Sequence, residues 1–128
     1  MKTLWIVALS VMAGIAVGAA AAQSLHAQAK APAYVIVEID VTSAGPYENE
    51  YVSKAAKAIT DGGGKYIVRG GKTVALYGEP PKPRIAIMAF DSLEKAQAAF
   101  DSPDYREAKK AGDKYATFRI YAVEGLSQ

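Results

Sequence analysis

The sequence holds 128 residues, 51% of them hydrophobic, with 15 lysines and arginines against 13 acids for a formal net charge of +2. That length suits a single domain, and charges this evenly interspersed form no basic cluster, so no nucleic-acid partner is expected. Cysteine is absent and the one histidine is His26, which excludes disulfides and thiolate ligands.

Lys2 is the only charge before Lys30, and Leu4 to Ala22 is an uncharged run rich in Leu, Ile, Val, Ala and Gly. Ala27-Gln28-Ala29 follows. A basic start, an apolar middle and small residues at the cut read as a secretory signal peptide over residues 1–29. The alternative is an uncleaved anchor, because the run as a helix would measure roughly 28 Å against a hydrocarbon core of ~30 Å. The Ala and Gly of its second half insert weakly, and the small-residue site favours cleavage after Ala29. The expected location is periplasmic or secreted, with membrane contact only through an uncleaved signal segment. Residues 30–128 then form the mature domain, which lacks His26. It has no imidazole acid or base, no Ser-His-Asp or Cys-His nucleophile system and no proximal histidine for haem. No metal and no cofactor is called for.

In the mature domain, Ala33 to Val41 (AYVIVEIDV) alternates as a strand, with Val35, Val37, Ile39 and Val41 on one face. Tyr34, Ile36, Glu38 and Asp40 take the other. Pro46 suits a first helical position, and Tyr47, Tyr51, Val52, Ala55, Ala56 and Ile59 mark one stripe of a helix reaching Asp61. Gly62-Gly63-Gly64 ends it. Lys65 to Arg69 reads as a strand, Gly70-Gly71 as a turn or bulge, and Thr73 to Tyr77 as another short strand. Glu79 to Pro83, with three prolines, is an extended loop. Arg84 to Phe90 is a strand that is apolar on both faces.

Asp91-Ser92-Leu93-Glu94 resembles a capping box opening a helix buried through Leu93, Ala96 and Phe100. Ser102-Pro103 restarts helix, with Tyr105, Ala108, Ala111 and Tyr115 as its stripe. Thr117 to Glu124 is the last strand. The order β-α-β-β-α-β defines an α+β, ferredoxin-like sandwich with both helical connections on one sheet face. The other face keeps large apolar residues whichever way the strands turn, and patches of that kind usually mark an interface. A homodimer, sheet against sheet, is expected.

Five segments carry a family resemblance. They are Ala33 to Val37 (AYVIV), Gly63 to Gly71 (GGKYIVRGG), Phe90 to Glu94 (FDSLE), Ser102 to Tyr105 (SPDY) and Val123 to Gly125 (VEG). In this order and spacing the chain resembles the bacterial domain-of-unknown-function 1330 family, within the dimeric α/β-barrel superfamily, over Tyr34 to Gly125. The resemblance implies a ferredoxin-like protomer and a two-fold dimer forming a dimeric α/β barrel. It implies no established reaction; superfamily relatives include cofactor-free monooxygenases, lactone isomerases and haem-using enzymes. Many members carry an arginine in the second helical region where this chain has Gly112. Lysines 109, 110 and 114 do not reproduce a guanidinium fork.

The expected function is small-molecule binding, with a cofactor-independent enzyme as its catalytic form and a non-catalytic dimeric module as the alternative. Arg69 is a candidate carboxylate clamp, with Gly70 and Gly71 admitting a ligand to the backbone. Its structural alternative is an ion pair beside a bulge. Glu38 and Asp40 are candidates as partly buried carboxylates able to act as bases, or else as partners of Arg84 or Arg119. Tyr105 completes the set, although its stripe, like those of Tyr47 and Tyr51, reads first as helix packing. Gly62-Gly63-Gly64-Lys65 follows a helix and lacks the spacing of a phosphate loop.

Overall fold

Alternation sets the central strand. In the computed structural model, which describes residues 31–127, β1 (Ala33–Val41) buries Ala33, Val35, Val37 and Ile39. The segment read as a signal peptide, with its boundary at Ala29, lies outside the described residues. The chain continues through α1, built of Ala44–Tyr47, a π-helical turn Glu48–Val52, and Ser53–Asp61. β2 (Lys65–Arg69), β3 (Arg84–Phe90), α2 (Leu93–Asp101), α3 (Pro103–Gly112) and β4 (Ala116–Glu124) follow.

The four strands lie in the order β2-β3-β1-β4, each antiparallel to its neighbours. α1 therefore connects two parallel, non-adjacent strands, and α2 with α3 connects the other such pair. That is the ferredoxin-like split βαβ arrangement. Pairing of Val35 with Met88 and Ala122, and of Val37 with Ala86 and Ile120, assigns these residues to the helix-facing side. Tyr47, Tyr51, Ala55, Ala58 and Ile59 of α1, Ala96 and Ala99 of α2, and Tyr105 and Ala108 of α3 close the core over them. Small alanines at these stripes let the helices approach the sheet closely.

Local signals act where polar backbone groups need partners. The Ser92 hydroxyl caps α2 by accepting from the Lys95 N–H at 3.2 Å, so Ser92, rather than Asp91, is the cap. The Ser102 hydroxyl accepts from the Tyr105 N–H at 3.2 Å and donates to the Ala99 carbonyl at 2.7 Å, with Pro103 opening α3. Gly63 takes the left-handed conformation that ends α1 (φ 94°).

One expectation is corrected here. Thr73 to Tyr77 is not a strand. The sheet takes its four strands in the order β2-β3-β1-β4, and the segment pairs with neither outer edge, β2 or β4. Its Val74, Leu76 and Tyr77 side chains are 73%, 91% and 100% exposed. Of the two readings of Gly70-Gly71 the turn holds: Gly70 adopts φ 71° and donates its N–H to the Ile85 carbonyl at 2.9 Å, turning the chain out into an arm of residues 71–83. A bulge lies within β2 itself, between Tyr66 and Val68.

The sheet face away from the helices carries no helix or strand among the described residues. Pairing places Tyr34, Ile36, Ile85, Ile87, Val68, Tyr121 and Val123 there. Val68, Tyr121 and Val123 are exposed. Glu38 sits among them at 9% exposure. Its carboxylate accepts from Arg119 Nη1 at 2.9 Å and from the Lys82 N–H at 3.1 Å, which ties the far end of the arm to the middle of this face.

Candidate functional site

Two local irregularities shape the helix side of the sheet. In a regular α-helix residues four apart drift around the axis, since a turn takes 3.6 residues. The π turn at Glu48–Val52, with its i→i+5 bonding, takes more residues per turn and reduces that drift. Tyr47, Tyr51, Ala55 and Ile59, at four-residue steps, consequently stay on one line facing the sheet. Tyr47 and Tyr51 stack, with ring centroids 5.2 Å apart and planes 27° apart. In a regular strand Tyr66 and Arg69, three residues apart, would face opposite sides. The bulge inserts one residue between them. Tyr66 then opposes Met88 and Arg69 opposes Ala86, both on the helix side. The Arg69 guanidinium lies 4.8 Å from the Tyr66 ring centroid.

Between these elements lies a cavity of about 280 Å3. Tyr47 and Tyr51 of α1, Tyr66 and Arg69 of β2, Arg84 of β3 and Tyr105 of α3 line it, over a floor of Val37, Ile39 and Met88. Arg84 lies over the Tyr47 ring at 5.4 Å and pairs with Glu48 at 3.2 Å. Glu48 is the one carboxylate of the lining, against the two arginines. Among the described residues Arg69 has no ion pair.

Deep in the cavity the Tyr51 and Tyr105 hydroxyls meet at 3.1 Å. Burial is the main cause that pushes the Tyr51 phenol up, helped by its bond to Tyr105. Burial likewise raises Tyr105, to about 12, against a smaller lowering by the same bond. Tyr47 and Tyr66 are raised by burial against the opposing pull of Arg84 and Arg69 respectively. All four phenols thus stay protonated near neutral pH. They offer hydroxyl donors and ring faces rather than bases. One proton serves the Tyr51–Tyr105 bond, so the second hydroxyl proton of the pair remains able to point at a ligand.

The four sequence candidates part company. Arg69 and Tyr105 line the cavity. Glu38 and Asp40 lie on the opposite face of the sheet, because β1 alternates and the cavity takes Val37 and Ile39. Glu38 pairs with Arg119 there, and Asp40 is exposed at the strand end. Arg84 pairs with Glu48 instead of either. Sequence reasoning gave Tyr66, Arg84 and Glu48 no site role, and Tyr47 and Tyr51 only a packing one. Glu48 lay off the expected helical stripe, and no pattern in the sequence marks Tyr66. The four-residue spacing of Tyr47, Tyr51, Ala55 and Ile59 was the available signal.

The second helical region contributes Tyr105 alone to the lining. The Gly112 backbone lies against the Tyr51 ring, where a Cβ would stand 2.5 Å from Cδ1. Lys109 pairs with Asp113 and sits over the Phe118 ring at 4.3 Å. Among the described residues no three His, Cys, Asp or Glu side chains gather as a metal-ligand group.

The family profile described as a domain of unknown function (DUF1330) matches residues 32–126. A protein of unknown function from Rhodopseudomonas palustris, RPA0582, is 18% identical. It superposes with a TM-score of 0.61 over 77% of this chain and 85% of its own. SnoaB, a cofactor-independent oxygenase from Streptomyces nogalater, is 9% identical, with a TM-score of 0.55 over 77% of this chain and 96% of its own. At those identities the likeness is one of fold. No curated protein matches the sequence.

Proposed function

The chain belongs to the DUF1330 family, and on that premise we propose that it is an exported, homodimeric protein that binds a small organic molecule in the cavity between α1, β2 and β3. The carrying observation is convergence. Four tyrosines and two arginines from four separate elements meet around one apolar-floored cavity, the usual anatomy of a small-molecule site. Catalysis there would draw on phenol hydroxyls, guanidinium groups and the substrate's own reactivity. The oxygenase of like fold, SnoaB, is described as cofactor-independent. A screen of small organic compounds by amide chemical-shift perturbation tests the reading. Binders should perturb β2, α1 and Tyr105; perturbation confined to the opposite sheet face would refute it.

A second copy is the natural cover for the other face, where Val68, Tyr121 and Val123 are exposed around the Glu38–Arg119 pair. At ~25 cal/mol per Å2, covering several hundred Å2 contributes several kcal/mol. The arm bearing Leu76 and Tyr77 is tied to that same face through Lys82 and Glu38. This exposed surface also favours the second reading, a non-catalytic dimeric module. Light scattering at micromolar concentration should give a dimer, and Tyr121→Glu with Val123→Glu should give a monomer. A monomeric parent protein would refute the pairing. Export rests on the sequence alone, and N-terminal sequencing of the secreted protein should begin at Lys30.

A further inference from the structure

We propose that the cavity's ligand is a small aromatic carboxylate held through Arg69, an inference that rests on the small-molecule reading above. Three features select this class. The first is charge. The lining holds Arg69, Arg84 and Glu48. Glu48 is engaged by Arg84 at 3.2 Å, which leaves a surplus guanidinium at Arg69. A planar, forked cation of this kind matches a carboxylate with two parallel hydrogen bonds.

The second feature is the shape of the lining. Arg69 is braced face-on against the Tyr66 ring at 4.8 Å, and Arg84 lies over the Tyr47 ring at 5.4 Å. The tyrosine rings that back these cations line the cavity as well, and aromatic groups pack on such rings in offset or edge-on arrangements. The third is size. At about 280 Å3 the cavity falls just below the ~300–1,000 Å3 typical of sites for drug-sized ligands. An apolar cavity of ~150 Å3 already holds benzene, so one ring with short substituents fits that space. The Tyr51–Tyr105 pair, with one hydroxyl proton to spare, would meet a polar substituent on the ring.

Three probes separate the elements of the proposal. Titration with 4-hydroxybenzoate, 4-hydroxybenzamide and cyclohexanecarboxylate, followed by amide chemical shifts, should show 4-hydroxybenzoate binding at least tenfold tighter than either of the others. Arg69→Gln should abolish the preference for the acid over the amide, and Arg69→Lys should restore part of it. Arg69 is exposed and has no ion pair among the described residues, so the variants should keep the parent's thermal midpoint. Equal binding of acid and amide would overturn the carboxylate assignment while leaving the small-molecule site standing. Equal binding of the benzoate and the cyclohexane acid would overturn the aromatic assignment. No binding of any probe at millimolar concentration, with other compounds binding at the cavity, would overturn the class as a whole. An acid preference that survives in Arg69→Gln would overturn the role of Arg69.

Discussion

Raising the pH above 10 should destabilise this protein through the Tyr51–Tyr105 pair. An ordinary phenol titrates at 10.0, and burial pushes Tyr105 up to about 12. Below pH 10 both the folded and unfolded states keep the proton, and the stability linked to Tyr105 is fully present. Between pH 10 and about 12 the unfolded chain ionises while the folded one does not, so stability falls as pH rises. Two units at about 1.4 kcal/mol each amount to a loss of roughly 2–3 kcal/mol. Tyr51 is raised further still and deepens the fall. Against a total of roughly 5–15 kcal/mol for a domain, the effect is large.

Urea midpoints measured at fixed protein concentration from pH 8 to 12 give the assay. Tyr105→Phe should start about 1 kcal/mol lower at pH 8, because the Tyr51 hydroxyl loses its partner. It should then decline less steeply than the parent between pH 10 and 12. Parallel declines in the two proteins would refute the reasoning, since other groups that titrate above pH 10 are common to both.

Gly112→Ala should destabilise by about 1–3 kcal/mol despite alanine's better helix propensity, because its Cβ would stand 2.5 Å from Tyr51 Cδ1 and 3.1 Å from Phe118 Cζ. The same change should weaken ligand binding by displacing Tyr51 from the cavity wall, which thermal melts and titration together would report. Ser102→Ala should cost about 1 kcal/mol, since the hydroxyl caps α3 through the Tyr105 N–H. A change in urea midpoint without a change in slope would confirm that only the folded state's stability is altered.

Much of the architecture was legible in the chain because it depends on local chemistry. The alternation of Ala33 to Val41, the glycines after Asp61 and the Ser102-Pro103 start each act within a few residues of their own position. Together they determined the β-α-β-β-α-β order, and with it a sheet covered on one face. The absence of cysteine, and of histidine beyond residue 26, likewise restricted the chemistry of residues 30–128 to carboxylates, cations and phenols. Thr73 to Tyr77 shows where this stops. Its β-prone residues meet the local requirement for a strand, but a strand also needs a partner, and this segment pairs with neither open edge of the sheet, β2 or β4.

The site was decided at the tertiary level for a related reason. Arg69 and Tyr105 could be named as candidates, but Glu38 and Asp40 could not be separated from them without knowing which face of β1 meets the helices. The bulge between Tyr66 and Val68 has no marker in the sequence, since it arises from how β2 registers against β3. That one extra residue turns Arg69 to the side of Tyr66. The π turn in α1 similarly aligns Tyr47 and Tyr51 with them. Sequence determined which groups were available and in what order; pairing across the sheet, a property of two strands at once, determined which of them share a cavity.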